Sequence, residues 1–284
     1  MVMNRDIFKG LGVALVTPFM ENGAVDFAAL AKIVDNLVEG GVDYILVLGT
    51  TGETPTLTID ERKALVRFVR ERVAGRVALM VGIGGNCTRD IVANLKSWDL
   101  SGYSAVLSVN PYYNKPNQEG LFQHFKAIAE ASPLPVMLYN IPGRTGVNMA
   151  PATIARLAAD CDNIIGVKEA SGNLAQMAEI KALTSNDFLL ISGDDGLTVD
   201  VIKLGGAGVI SVLANAYPAE TKEVVSLAAL GYIEEAEQKL KALNEIISSL
   251  FEEGNPVGAK SMASLMGLTR AEVRLPLVEA TESL

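Results

Sequence analysis

Histidine is almost absent from this sequence, since only His124 occurs among its 284 residues. The sequence therefore lacks the histidines needed for a multi-histidine metal site and argues against a Ser-His-Asp relay. Acid/base chemistry must come from lysine, tyrosine or carboxylates. Leu121, Phe125 and Ile128 form an apolar stripe at helical spacing, and His124 lies off that stripe. We therefore expect His124 to be a solvated helix residue.

Cysteine and long apolar runs are also scarce. Cys87 and Cys161 are too few for a disulfide framework or a zinc cluster, and we assign neither a functional role. No run of about 18 apolar residues occurs, and the first ten residues contain no apolar stretch of signal-peptide length. These absences predict no membrane segment and a soluble, cytoplasmic protein.

Clusters of basic residues are missing as well, and the net charge is −9 at pH 7. A surface that binds nucleic acid or an anionic membrane neutralises phosphates with patches of lysine and arginine. The charge pattern therefore argues against both kinds of partner. The hydrophobic content of 49% is enough for the core of one large domain.

Short apolar runs with the composition of buried β-strands recur along the chain, and segments of helical period lie between them. The runs begin at Gly12, Tyr44, Ala78, Ala105, Pro135, Ile164, Phe188 and Gly208. Eight such units, each with a strand covered on both faces, predict an α/β fold of the (β/α)8 TIM barrel type. An open doubly wound sheet is the alternative, but the "GIGGNC" segment lacks the third spaced glycine of its phosphate-binding fingerprint.

The last part of the chain has a different pattern. After the eighth strand, apolar residues share one helical stripe at Ile233, Ala236, Leu240, Leu243, Ile247 and Leu250. We predict a catalytic barrel over residues 1–225 and a C-terminal helical extension over residues 226–284. The stripe could pack on the barrel or on another subunit, and the sequence alone leaves both open.

Polar residues collect where the predicted strands end, which is where TIM barrels carry their active sites. Lys168 ends the sixth strand, and the four residues before it carry no charge. Desolvation there should lower its pKa from about 10.4 and make the neutral amine a nucleophile able to form an imine with a ketone. The alternative is a structural lysine that reaches solvent or pairs with Glu169.

Other strand ends supply groups that would serve such an imine. Tyr139 can carry protons to the imine nitrogen, and Thr50 and Tyr113 could extend a hydroxyl chain toward solvent. The turn around Thr51 suits a carboxylate, and Arg144 offers a planar fork for a second one. A core tyrosine, a plain turn and a surface salt bridge are the structural alternatives. This pattern indicates a barrel enzyme that forms imines with anionic keto acids.

Several motifs in order, "GTTGE", "NPYYNKP", "YNIPGRTG", "GVKEASGN" and "SGDD", resemble those of the 4-hydroxy-tetrahydrodipicolinate synthase (dihydrodipicolinate synthase) family. This family belongs to the pyruvate-dependent class I aldolases, which include N-acetylneuraminate lyase. The resemblance extends from Gly10 to about Gly267. It implies that Lys168 forms a Schiff base with pyruvate and that Tyr139 is the proton shuttle. Thr50 and Tyr113 match the rest of a hydroxyl relay in which the tyrosine reaches into the neighbouring subunit's site.

The resemblance also implies the substrate contacts. Thr51 would hold the carboxylate of pyruvate and Arg144 that of aspartate semialdehyde, while Gly193 and Ile210 match backbone positions that line the pocket. The family reaction condenses the two substrates in the diaminopimelate and lysine pathway. No metal or organic cofactor is implied, and a homotetramer built as a dimer of dimers is expected.

Two positions favour the synthase over related aldolases, since the Thr50-Thr51 pair replaces the Ser-Thr of neuraminate lyases and the sugar-acid lyases lack an arginine at position 144. Another aldolase acting on a sugar acid or keto acid, and a barrel retained only for binding or regulation, are the alternatives. Seven positions correspond to those of the family's regulatory site: Thr54, Pro55, Ile59, Arg62, Asn86, Asp90 and Tyr112. Asn86 and Tyr112 are retained, and Asp90 stands where lysine-inhibited members have glutamate. Lysine-inhibited members carry histidines where this chain has Ile59 and Arg62, so we predict weak or absent inhibition by lysine.

Overall fold

The computed structural model of the protein describes residues 4–283. Parallel strands pair in chain order, and the last pairs with the first, which closes a barrel. The strands are β1 Gly10–Ala14, β2 Tyr44–Val47, β3 Ala78–Gly82, β4 Ala105–Val109, β5 Val136–Asn140, β6 Ile164–Glu169, β7 Leu189–Ser192 and β8 Gly208–Ser211. The eight predicted strands and the (β/α)8 barrel are confirmed.

Helices follow the strands and surround the barrel. They are α1 Phe27–Glu39, α2 Ile59–Val73, α3 Thr88–Ser97, α4 Gln118–Ala131, α5 Pro142–Thr145, α6 Pro151–Asp160, α7 Leu174–Leu183, α8 Thr198–Lys203, α9 Pro218–Ala229, α10 Ile233–Glu252 and α11 Val257–Leu265. Short 3-10 turns occur at Arg5–Phe8, Thr50–Gly52, Thr54–Thr56, Asp195–Leu197 and Leu213–Asn215. Within residues 4–283, no helix combines the length and apolar character needed to cross a bilayer.

Two apolar cores hold the barrel together. The larger lies between the strands and the surrounding helices, and the smaller fills the barrel interior. At the end of the barrel where the strands begin, Phe8 packs edge-to-face on Tyr44 with ring centroids 5.3 Å apart. Because side chains fill the interior, the barrel is a packed core and not a pore.

An irregularity in β6 decides which of its side chains face the interior. Val136 pairs with Ile164 but Met137 pairs with Gly166, so one residue of β6 is left without a partner on β5. Ile165 faces the interior whereas Val167 packs toward the helices. Strict alternation from Ile165 would have sent Lys168 outward, and the bulge reverses this.

His124 contradicts the expectation of a solvated residue. It is buried in α4, and its Nδ1 lies 2.8 Å from Thr88 Oγ1. The stripe of Leu121, Phe125 and Ile128 is buried as predicted. However, α4 also contacts α3 and α6, so side chains flanking the stripe are covered as well. Burial lowers the pKa of His124 to about 4, which leaves it neutral at pH 7.

The C-terminal extension packs on the barrel of its own chain. Helix α10 contacts α8 and α9, and it buries Ala236, Leu243, Ile247 and Leu250 of the predicted stripe. Within this chain the stripe therefore packs mainly on the helices α8 and α9. The division of the chain into barrel and extension stays a proposal, and its boundary at residue 225 lies inside α9.

Beyond α10, the extension returns to the mouth of the barrel. Lys260 on α11 places Nζ 2.5 Å from Glu53 Oε1, with both side chains almost fully buried. Lys260 Nζ also donates to the backbone carbonyl of Glu272 at 2.7 Å, and the backbone N–H of Arg274 donates to Glu53 Oε2 at 2.9 Å. A buried ion pair with these further hydrogen bonds ties the extension to the loop after β2.

Candidate active site

A cavity of about 270 Å³ opens at the end of the barrel where the strands finish. Three of the predicted catalytic and substrate-binding residues line it: Thr50, Tyr139 and Arg144. Four of the predicted regulatory positions line it too: Thr54, Pro55, Arg62 and Tyr112. The remaining predicted residues lie beneath the cavity, beside it or outside it.

Lys168 lies beneath this cavity in the barrel interior. It pairs with Tyr139 in the β5–β6 register, and its Nζ lies 4.6 Å from the centroid of the Tyr139 ring. Only 4% of the residue is exposed. Burial lowers the pKa of Lys168 to about 8, although the charge of Asp195 opposes the shift, and the charge of Arg144 adds to it. The predicted lowering of the pKa by desolvation is thus supported.

Tyr139 stands between Lys168 and the open cavity. Burial raises its pKa, while an interaction of its hydroxyl with the Thr50 side chain and the charge of Arg144 both oppose the rise. The phenol therefore keeps its proton at neutral pH and can donate it. Thr50, at the start of the turn after β2, lines the same cavity as Tyr139, and its role in the relay stays a prediction.

The turn that contains Thr51 is buried and tightly fixed. Residues Thr50–Gly52 form a 3-10 turn, and Glu53 follows it with φ of +51°. Thr51 is 1% exposed, and its Oγ1 accepts a hydrogen bond of 3.0 Å from Asn255 Nδ2. The turn is thereby held by a residue of the extension and is close to the cavity that Thr50 lines.

Arg144 lies on α5, in the loop after β5, and lines the cavity from that side. Its Nη2 donates to the backbone carbonyl of Asn255 at 3.0 Å. Among residues 4–283 no carboxylate forms an ion pair with this guanidinium. Its charge therefore remains available to an anionic ligand, which fits the predicted role better than a surface salt bridge does.

A buried polar network supports this loop from the helix side of the sheet. Glu169 is fully buried and accepts hydrogen bonds from Asn140 Nδ2 at 2.8 Å and Gln176 Nε2 at 3.1 Å. Asn140 also donates to Asn148 Oδ1 at 2.8 Å. Since Glu169 faces away from Lys168, it is not the ion-pair partner that the structural alternative for Lys168 required.

Gly193 and Ile210 were predicted to line the pocket, but neither is among the residues that line the cavity, and their role stays a prediction. A Cβ on Gly193 would lie 3.0 Å from Cε of Lys168, so the absence of a side chain leaves room for the lysine. Ile210 is fully buried in β8 and belongs to the interior core. Asp195 is also buried here, and it accepts from the Ser211 hydroxyl at 2.5 Å and the Val212 N–H at 2.9 Å.

Tyr113 is not brought into its own chain's cavity. Its side chain is 89% exposed, its φ is +73°, and the neighbouring Tyr112 lines the cavity in its place. A side chain so exposed cannot complete a hydroxyl relay with Tyr139 of the same chain in this conformation. Its predicted role therefore depends on a second subunit.

The predicted regulatory positions surround two adjoining depressions. Arg62 lines both, and Ile59, Asn86 and Asp90 line the outer one. Asn86 Nδ2 donates to the backbone carbonyl of Tyr112 at 3.2 Å, which links the two depressions. The structure therefore brings these positions together, although their regulatory role stays a prediction.

Sequence reasoning missed the contribution of the extension to the mouth. Asn255 contacts both Thr51 and Arg144, and Lys260 pairs with Glu53. Asn255 and Lys260 both lie in the "NPVGAK" segment, and nothing in its sequence pattern indicates a polar contact with the turn after β2. The available signal was a lysine in a helix whose other residues are small or apolar.

The model of the dihydrodipicolinate synthetase family matches residues 7–284. The chain belongs to this family. It is 53% identical over 270 residues to a 4-hydroxy-tetrahydrodipicolinate synthase of Parabacteroides distasonis. The aligned residues cover 95% of this chain and 91% of the relative.

Solved structures of the family superpose closely on this chain. A dihydrodipicolinate synthase variant described as monomeric gives a TM-score of 0.96 at 42% identity, covering 99% of this chain and 94% of that one. The chloride-inhibited dihydrodipicolinate synthase of Acinetobacter baumannii, complexed with pyruvate, gives a TM-score of 0.94 at 38% identity. That superposition covers 97% of this chain and 94% of the Acinetobacter chain. The family predicted from the motifs is thereby confirmed.

The groups at the mouth of the barrel together suit one kind of reaction. A buried amine with a lowered pKa, an adjacent phenol and an uncompensated arginine suit imine formation with a small keto acid. Within residues 4–283, no group of three or more histidine, cysteine or carboxylate side chains is placed to hold a metal ion. The protein groups themselves can provide the nucleophile, the proton carrier and the anion-binding sites.

The pKa of Lys168 predicts how imine formation depends on pH. Only the neutral amine attacks a ketone, so the rate of borohydride trapping with pyruvate should rise with pH and level off above about 8. At pH 7 a lysine of pKa about 8 has roughly 300-fold more neutral amine than one with the ordinary value of 10.5. Mass mapping across a pH series measures this.

Lys260 provides a matched control for the trapping experiment. Its pKa is also lowered to about 8 by burial, but its Nζ is held by Glu53 and the Glu272 carbonyl. We expect no adduct there. Trapping on Lys168 that keeps rising steeply through pH 9 and 10, or trapping shared equally with Lys260, would contradict the assignment.

Proposed function

We propose that this chain condenses pyruvate with L-aspartate 4-semialdehyde to give 4-hydroxy-tetrahydrodipicolinate. The observation that carries the proposal is the buried Lys168 amine, with a pKa near 8, beside Tyr139 and beneath a cavity lined by Arg144. The name of the relative that is 53% identical agrees with this reaction. As a lyase of this kind, the chain would act in the diaminopimelate and lysine pathway.

Imine formation is the first step of the proposed reaction. The neutral Lys168 amine adds to the keto carbon of pyruvate, and the oxygen leaves as water after Tyr139 donates a proton to it. Backbone N–H groups of the turn and the Thr51 hydroxyl would hold the pyruvate carboxylate. The protonated imine then withdraws electrons, so the methyl carbon loses a proton and an enamine forms.

Carbon–carbon bond formation and release of the enzyme follow. The enamine carbon attacks the aldehyde carbon, whose oxygen takes up a proton and becomes the 4-hydroxyl group. The amine of the semialdehyde then attacks the imine carbon, closes the ring and expels the Lys168 amine. One water leaves overall, and no oxidant or reductant is required.

Arg144 supports the choice of aldehyde. Its guanidinium lines the cavity above Tyr139 and is not paired with a carboxylate among the described residues. A planar cation in this place favours a second substrate that carries its own carboxylate, as aspartate semialdehyde does.

We also propose that the protein assembles as a homotetramer built as a dimer of dimers. Tyr113 is 89% exposed on its own subunit and lies outside the cavity that it is predicted to serve. A partner subunit that receives this side chain would complete the relay of Tyr139 and Thr50. Each site would then depend on residues from two chains.

Removal of the nucleophile tests the reaction directly. Lys168→Ala should abolish semialdehyde-dependent consumption of pyruvate, and Tyr139→Phe should lower kcat by about 100-fold or more because a general acid is lost. The product is followed by coupling to its reductase. If the wild-type protein traps pyruvate but does not consume the semialdehyde, imine chemistry stands and the aldehyde is wrong. A sugar acid or another keto acid would then be tested.

Mixed oligomers test the role of Tyr113. Lys168→Ala and Tyr113→Phe chains should each be poorly active, but a mixed dimer contains one site with both residues intact. Equal coexpression should therefore restore about a quarter of wild-type activity, since half of randomly formed dimers are mixed and each has one complete site. Activity no greater than the mean of the two parents, or a fully active monomer in sedimentation, would contradict the proposal.

Inhibition by lysine should be weak or absent at millimolar concentration. Arg62 lines both depressions, so its positive charge would oppose a cationic ligand there, and the Ile59 side chain offers no hydrogen bond. The double variant Ile59→His/Arg62→His is the matched comparison and should become more sensitive to lysine. Strong inhibition of the wild-type protein at sub-millimolar lysine would show that the prediction is wrong.

A further inference from the structure

Asn255 is the point at which the C-terminal extension meets both predicted carboxylate-binding groups. It lies between α10 and α11, and 8% of it is exposed. Its side-chain Nδ2 donates to Thr51 Oγ1 at 3.0 Å, and its backbone carbonyl accepts from Arg144 Nη2 at 3.0 Å. One residue from outside the barrel strands thus contacts the turn after β2 and the loop after β5.

The hydrogen bond to Thr51 determines what the threonine hydroxyl can do. A hydroxyl group has one hydrogen to donate and two lone pairs that accept. Asn255 Nδ2 occupies one lone pair of Thr51 Oγ1, and no protein acceptor for the hydroxyl hydrogen is found among residues 4–283. The hydrogen of Thr51 is therefore available to a ligand, and an incoming carboxylate is an acceptor that would take it.

Asn255 is held firmly enough to impose this orientation. The buried Lys260–Glu53 ion pair joins α11 to the residue that directly follows the turn. The backbone N–H of Arg274 donates to the other oxygen of Glu53 at 2.9 Å. Two contacts that follow Asn255 in the chain thus fix the extension to the turn, and the amide does not have to be ordered when a substrate binds.

We propose that Asn255 is a positioning residue for substrate binding. Its side-chain amide orients the Thr51 hydroxyl so that the hydrogen points to the carboxylate of the keto acid, while its backbone carbonyl holds Arg144 over the same cavity. The inference rests on the proposed function, in which Thr51 binds the pyruvate carboxylate. It assigns part of that binding site to the extension.

Asn255→Asp is the sharpest test because aspartate has nearly the same shape as asparagine but accepts the hydrogen bond that the amide donates. A carboxylate at position 255 only accepts, so the Thr51 hydroxyl would turn its hydrogen away from the substrate. The backbone contact with Arg144 does not depend on the side chain. We expect the pyruvate concentration for half-maximal trapping to rise by about tenfold or more with Asp, and less with Asn255→Ala.

Variants of Thr51 distinguish positioning from a purely structural role. In a Thr51→Ser background the hydroxyl remains, and Asn255→Ala should still weaken pyruvate binding. In a Thr51→Val background the hydroxyl is gone, so Asn255→Ala should add little to the loss already caused by valine. A structural role alone would add the same loss in both backgrounds and would lower kcat and thermal stability together.

Borohydride trapping on Lys168 without semialdehyde separates the two proposals. If the wild-type protein forms no pyruvate adduct, the proposed function itself fails. If it does, and Asn255→Ala and Asn255→Asp both keep the half-saturating pyruvate concentration within about twofold, the inference is wrong. Should the aspartate variant fail to fold, the alanine variant in the serine and valine backgrounds gives the same decision.

Discussion

A lysine amine attacks carbonyl groups at neutral pH only where its charged form is deprived of water, and the barrel interior imposes this condition on Lys168. Buried apolar side chains, including Ile165, Ile191 and Ile210, occupy the same interior. The carboxylate of Asp195 would restore the charge, but it is engaged by the Ser211 hydroxyl and backbone N–H groups. Desolvation therefore prevails, and the shift of the pKa to about 8 corresponds to roughly 3 kcal/mol against the charged form.

The bulge in β6 is the structural condition for that burial. It pairs Tyr139 with Lys168, whereas an uninterrupted register from Val136 and Ile164 would have paired Tyr139 with Val167. Gly166 permits the close approach of β7, since a Cβ there would lie 2.3 Å from the Leu189 carbonyl oxygen. The same shift turns the Glu169 side chain toward the helices, away from the lysine. There its carboxylate accepts hydrogen bonds from the side-chain amides of Asn140 and Gln176.

The strands and helices of the barrel could be predicted from the sequence because the periodicity of apolar residues is a property of short segments. Lys168 could also be predicted, since a strand-end lysine behind uncharged residues is a local signal. His124 was misjudged because burial of the flank of α4 depends on its neighbours α3 and α6, which its own period does not describe. Asn255 and Lys260 were missed because they meet the turn after β2 across about 200 residues of chain, a contact set by packing alone.

Charge at the mouth explains how an acidic protein can serve anionic substrates. The chain carries a net charge of −9, yet Arg62 and Arg144 line the cavity and no described residue that lines it is acidic. Glu53 lies below the surface with its charge met by Lys260. Salt screens surface carboxylates beyond about 8 Å, so a small carboxylate inside the cavity responds mainly to the two arginines. The charge that lines the cavity, rather than the net charge of the chain, therefore decides whether a small anion can bind there.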